Sequence, residues 1–148
     1  MTQRHPIQND SVMFITTVTR DRIPYFLDDA LAREAVECLY RVQSLRPFFL
    51  HGFVIMPDHC HFLIRVRKPE KISSIMKSYK AGVTYAIGNG KLWQPRFHIL
   101  IPDKPWHALR YIHHNPIDAG LVEDPKEYRW SSASRKWDVT PLHDSLVT

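Results

Sequence analysis

The sequence predicts an α+β fold, and two observations carry that prediction. Apolar residues alternate in some segments and recur at helical spacing in others, as half-buried strands and amphipathic helices require. These segments follow one another as strand, helix, strand, strand, helix, strand and a final helix. That order is the split βαβ arrangement of ferredoxin-like folds, an antiparallel sheet with helices packed on one face. At 148 residues the chain has the size of one domain with a proper core. We read it as a single unit over 1–148, with its core at about 12–132 and a loose C-terminal tail over 133–148.

Val12–Thr19 is β-branched and aromatic and reads as the first strand. Asp28 or Asp29 can cap a helix running to about Val42, with Leu31, Ala35, Cys38, Leu39 and Val42 on one face. Phe48 to Met56 is apolar on both faces, as an interior strand should be. Pro57-Asp58 then makes a tight bend into a strand opening at His59, so the two strands should pair antiparallel.

Ser73 or Ser74 can cap a second helix that ends near Gly88 to Gly90. Trp93 to Ile101 reads as a strand whose Pro95 points to an edge position or a bulge. Asp103 should cap a third helix with Pro105 in its first turn, stopping at Asn115 because Pro116 disfavours a helical residue before it. Its Trp106, Leu109 and Ile112 form a stripe expected to pack on the sheet. Short turns should follow, with a loose end from about Pro141.

The most informative stretch is Met56-Pro57-Asp58-His59-Cys60-His61-Phe62-Leu63-Ile64. Strand side chains alternate, so His59 and His61 share a face while Cys60 points to the other with Phe62, Ile64 and Val66. Two imidazoles roughly 6–7 Å apart along a strand can hold one divalent ion. A hydrogen-bonded pair with no metal is the plainer reading of two such histidines. On the third helix Tyr111 and Asn115 stand one turn apart on a shared face. An amide oxygen can supply a third ligand, and a phenol becomes a useful nucleophile toward a polarised phosphoryl group. A half-buried tyrosine and an ordinary Asn-Pro helix stop are the alternatives. His113 and His114 point in different directions and stay unassigned, with His114 the nearer candidate.

Composition bounds the classes. Lys and Arg number 20 against 15 Asp and Glu, a net charge of +5 compatible with a polyanionic partner or with a merely solvated surface. Two cysteines, Cys38 and Cys60, look like small buried hydrophobes and make no disulfide framework. The opening residues lack the apolar segment of a secretory signal, and no run reaches the ~20 apolar residues of a membrane span, so a cytoplasmic location is expected.

Four motifs together carry a resemblance. Met56-Pro57-Asp58-His59-Cys60-His61-Phe62-Leu63 comes first, then Leu92-Trp93-Gln94-Pro95-Arg96-Phe97. Tyr111-Ile112-His113-His114-Asn115-Pro116 with Ala119-Gly120-Leu121-Val122 is next, and Trp130-Ser131-Ser132 closes the series. In order and spacing, from about Val12 to Ser132, they resemble the REP-associated tyrosine transposases, a branch of the single-tyrosine HUH (IS200-like) transposases.

The resemblance implies a nuclease and strand transferase acting on single-stranded, hairpin-bearing DNA. By position it makes His59, His61 and Asn115 ligands of Mg²⁺ or Mn²⁺, and Tyr111 the nucleophile that forms a 5′-phosphotyrosine. The chain departs from the family pattern in having Asp58 where many relatives have asparagine, and Cys60 where they have a bulkier apolar residue. Relatives work as monomers or as homodimers. A DNA partner would give Arg65, Arg67, Lys77, Lys80 and Arg96 phosphates to contact, and Trp93 a base to stack on. Two other readings remain at this point: a ferredoxin-like module that binds hairpins without cutting, and a Zn²⁺ protein, for which two histidines make a poor closed site.

Overall fold

A computed structural model describes residues 11–142. β1 (Val12–Thr19), α1 (Asp29–Leu45), β2 (Phe49–Met56), β3 (His59–Arg65), α2 (Ile72–Ile87), β4 (Trp93–Leu100) and α3 (Pro105–Asp118) follow in the expected order. The four strands form one sheet in the order β2-β3-β1-β4, every neighbour antiparallel. This is the split βαβ pattern.

Alternation along the strands divides the core in two. Met13, Ile15, Phe53, Ile55, Cys60, Phe62 and Ile64 point toward α1 and α2 and build the main core with them. Val12, Val54, Met56 and Leu63 point the other way, against Ile112 and Leu109 of α3. The two crossover helices therefore share a face, while α3 occupies the opposite one. The histidines of β3 lie on the α3 side.

Gly52 lets α3 come close. It sits at a register shift in the β2–β3 pairing, and a Cβ there would collide with Leu109 Cδ1. The Trp130-Ser131-Ser132 motif stitches the same region together. Ile55 N–H donates to the Trp130 carbonyl (2.8 Å), Ser131 bridges Val54, and Ser132 Oγ accepts from Phe53 N–H (3.0 Å).

Several boundaries differ from the sequence reading. Asp28 caps α1 by accepting from Ala30 and Leu31 N–H, but the helix runs on to Leu45 because nothing breaks it before the pre-proline residue Arg46. Neither Ser73 nor Ser74 caps α2. Buried Ile72 draws the first turn back, Lys71 takes the cap position, and Gly88 ends the helix at φ 78°.

β4 is one edge strand, and a two-residue change of register between its Trp93 and Phe97 brackets Pro95. β2 is the other edge and not the interior strand expected, its two apolar faces being covered by α1 on one side and α3 on the other. α3 starts after Lys104 rather than Asp103 and passes through Pro116 to Asp118. Burial of Asn115 and Pro116 outweighs the one helical hydrogen bond the proline gives up. Leu121 N–H closes the end on the Pro116 carbonyl (2.9 Å).

Trp106 is 38% exposed, not packed on the sheet. At about 100° per residue it lies about 120° round the helix from buried Ile112, too far to share its contact. The segment after residue 132 is anchored, not loose, as far as Thr140. Trp137 stacks on Tyr40, Tyr40 Oη donates to the Asp138 carbonyl (2.6 Å), and Thr140 N–H donates to the Leu50 carbonyl (2.8 Å). The opening segment (1–10) and the rest of the expected tail (143–148) lie outside the described residues.

Candidate active site

β3 is an interior strand, and this fixes its histidines from both sides. His61 pairs with Thr16 of β1 and Val54 of β2; His59 pairs with Val18 and Met56. The two imidazole centroids stand 4.8 Å apart. α3 crosses above them and brings in Asn115 and Tyr111 from fifty or more residues away in sequence. Asn115 is buried, with Oδ1 3.3 Å from His59 Nε2. The Tyr111 ring sits edge-on to His61 at 5.5 Å and to Phe14 at 5.9 Å, and is half exposed. All four residues that the sequence singled out for chemistry meet in one place.

Each histidine is oriented by a neighbour. The Asp58 carboxylate lies 2.7 Å from His59 Nδ1 and also accepts from Arg22 (3.1 Å). Burial alone would raise the Asp58 pKa, but the His59 and Arg22 hydrogen bonds outweigh it and hold the carboxyl below its ordinary value. In the tautomer that donates Nδ1–H to Asp58, His59 turns an Nε2 lone pair toward Asn115 Oδ1.

His61 Nδ1 lies 2.9 Å from Thr16 Oγ1 and its ring stacks on Phe14. Burial, and then the nearby His59 charge, lower its pKa to about 3, so it is neutral near pH 7. Its Nε2 is buried with no hydrogen-bond partner among the described residues.

An orphaned imidazole nitrogen beside a bare Nε2 and an amide oxygen is a donor set that suits a divalent cation. Among the described residues no three His, Cys, Asp or Glu side chains converge for a metal, so the amide is needed to complete the set. Cys60 lies on the other face and is fully buried.

A groove of about 670 Å³ opens beside these groups, lined by Phe14, Thr16, His61, Lys104, His107 and Tyr111 among others. Lys104 and His107 escaped the sequence reading, although His107 stands one helical turn before Tyr111. Thr16 had no local signal, because only strand pairing reveals it. His113 and His114 do not reach the site; His113 Nε2 lies 2.8 Å from Ser132 Oγ, and both line a separate groove beyond α3.

The residues expected to contact DNA are dispersed. Trp93 is no stacking platform: it is buried against Phe26 and Tyr79, with its indole N–H donated to the Lys80 carbonyl (3.2 Å). Lys80 Nζ donates to the Gln94 carbonyl (2.7 Å), and it and the exposed Lys77 lie on α2, across the sheet from the histidines. Arg65 lies over the Phe49 ring at the far end of β3, and Arg67 is nearby. Arg96 is exposed on the edge strand.

Comparison with known proteins bears on this arrangement. Residues 9–115 match the family model described as "Transposase IS200 like". A REP-associated tyrosine transposase of Escherichia coli is 30% identical over 101 residues, covering 66% of this chain and 61% of that protein. The chain thus spans less than two thirds of that relative. A Haemophilus influenzae protein named as a putative REP-associated tyrosine transposase is 27% identical, with 89% of this chain and 85% of the relative covered.

Among solved structures, a REP-associated tyrosine transposase bound to a REP hairpin superposes with a TM-score of 0.78. It is 24% identical, over 100% of this chain and 94% of that one. A structure named as a putative transposase from Deinococcus radiodurans gives 0.56 at 16% identity, over 82% of this chain and 98% of that one. Both show the same fold.

Proposed function

The chain belongs to the IS200-like transposase family, and from that premise we propose that it is a divalent-metal-dependent single-stranded DNA endonuclease and strand transferase. Its substrate on this reading is hairpin-bearing DNA. The observation that carries the proposal is the half-exposed Tyr111 phenol edge-on to His61, at the wall of an open groove.

Tyr111 Oη attacks the scissile phosphorus. The P–O3′ bond breaks as the P–Oη bond forms. The phenol proton passes to solvent, and the departing oxygen takes up a proton as a free 3′-OH. The 5′ phosphate is then an ester of tyrosine. Because a phenolate is a workable leaving group, a 3′-OH can attack that ester, restore the phosphodiester and release Tyr111. No nucleotide cofactor is required, since the ester conserves the energy of the broken bond.

His59, His61 and Asn115 would hold Mg²⁺ or Mn²⁺, which when bound supplies Lewis-acid polarisation of the scissile phosphate. The protein groups prepare that site: Asp58 fixes the His59 proton on Nδ1, Thr16 and Phe14 orient His61, and burial keeps His61 neutral. Phe14 also walls one side of the Tyr111 ring. β3 and α3 of a single chain suffice to assemble the whole constellation.

Hairpin DNA as the partner rests on family membership and on the relative whose structure holds a REP hairpin. Among the described residues no helix is long and apolar enough to cross a membrane, and a cytoplasmic location follows from DNA as substrate. Incubation with hairpin-bearing single-stranded DNA and Mg²⁺ tests the reading: a covalent protein–DNA adduct should survive denaturation.

A further inference from the structure

The outer side of α3 carries a surface of which the proposed chemistry uses only Tyr111. Trp106, His107, Arg110, Tyr111 and His114 are all exposed and, at that spacing, form one continuous strip along the helix. The strip contains no acid. On one side of it lies the groove with Tyr111 in its wall; on the other lies a second groove of about 450 Å³. Arg110, Lys126 and Arg135 reach the second groove from α3 and from the short turns Pro125–Glu127 and Ser132–Ser134. None of the three forms an ion pair among the described residues.

The one carboxylate there, Asp124, is already engaged in capping, accepting from Lys126 N–H at 2.9 Å. Arg135 is held at φ 63°, a left-handed conformation that asparagine or glycine adopts more readily. His113 is turned onto Ser132, and Trp106 lies at the rim, 38% exposed and edge-on to His107.

We propose that this second groove is a nucleic-acid contact that holds the unpaired strand running away from the cut at Tyr111. Three unpaired cations suit successive phosphates, and an exposed indole suits base stacking, which tolerates any sequence. Position argues for the same strand. Arg110 and Tyr111 are consecutive on the ridge that separates the grooves, so a polynucleotide seated at Tyr111 crosses α3 to reach the cations. The inference rests on the reading of Tyr111 as the group at the cut.

The test uses the full chain carrying Tyr111→Phe, to prevent turnover, and two labelled hairpin oligonucleotides. One ends at the cleavage site and the other extends beyond it as single strand. Fluorescence anisotropy over a salt series reads affinity and its salt slope. Each phosphate contact on a single strand adds about 0.7 to that slope. The triple variant Arg110→Ala, Lys126→Ala, Arg135→Asn should therefore lower the slope by about two on the extended oligonucleotide and leave the short one unchanged.

Asparagine preserves the left-handed backbone at 135. Lys126→Glu alone, on an exposed turn, gives the same direction of effect if the triple variant does not fold. Equal slopes for variant and parent on the extended DNA would overturn the proposal. So would an equal loss on both oligonucleotides, which would place the cations on the hairpin. Failure of the unsubstituted protein to form an adduct, with the slope difference intact, would instead count against Tyr111 chemistry and leave the groove standing.

Discussion

Asn115 Oδ1 faces His59 Nε2 at 3.3 Å, across 56 residues of sequence. In the tautomer that donates Nδ1–H to Asp58, both facing atoms are acceptors with no proton between them. A cation between or beside them resolves that conflict. Asn115→Ala should therefore weaken Mn²⁺ binding at least about tenfold, or about 1.4 kcal/mol. His113→Ala, whose imidazole bonds Ser132 and lines the outer groove, should leave it unchanged. Mn²⁺ titration by electron paramagnetic resonance reads both, and equal affinities would remove Asn115 from the donor set.

Asp58 acts on the same site through His59. A carboxylate behind a ligating imidazole fixes its tautomer and raises its basicity, and loss of such a partner typically costs 10–100-fold in metal affinity. Asp58→Ala should fall in about that range, and Asp58→Asn, which keeps an acceptor oxygen but no charge, should lose less. If both variants bind Mn²⁺ as the parent does, the Asp58–His59 contact is incidental.

Acid stability should report on His61. Its folded pKa is near 3 against about 6.5 when unfolded, so below pH 6.5 only the unfolded chain takes up the proton. Stability of the metal-free protein should then fall as pH drops through the window from 6.5 toward 3, by up to about 1.4 kcal/mol per pH unit from this residue. Above pH 6.5 His61 contributes no slope. Urea melts across this range should be steeper in pH for the parent than for His61→Leu; parallel curves would show that His61 titrates normally.

Gly52→Ala should disturb the site from a distance. The added methyl meets Leu109, one turn from Ile112 on the α3 face that packs on β2. Overpacking of this kind costs about 1–3 kcal/mol, and thermal melts should show it. Removing the obstacle with Leu109→Ala in the same chain should make the two losses less than additive. Strict additivity would mean the helix is not held by that contact.

Much of this was legible from residue pattern. Period-two alternation put His59 and His61 on one face and Cys60 on the other, and helical spacing put Tyr111 and Asn115 together. What pattern could not supply was the juxtaposition of elements. Thr16 reaches His61 only through the β1–β3 register, and Asp58 becomes a partner only once the Pro57-Asp58 turn is folded. Trp93 looked available for bases because pattern does not tell an exposed aromatic from a core one; in the fold it is buried against Phe26 and Tyr79. Pro116 looked like a stop because local propensity ignores the packing that carries α3 through it.

The central claim is that Tyr111 is the nucleophile, and peptide mapping of the protein–DNA adduct tests it most directly. After reaction with hairpin-bearing single-stranded DNA and Mg²⁺, nuclease trimming and proteolysis, mass spectrometry should find the residual nucleotide on the Tyr111 peptide. Tyr111→Phe should bind the DNA and yield no adduct. A nucleotide found on another residue, or an adduct that persists in Tyr111→Phe, would contradict the account.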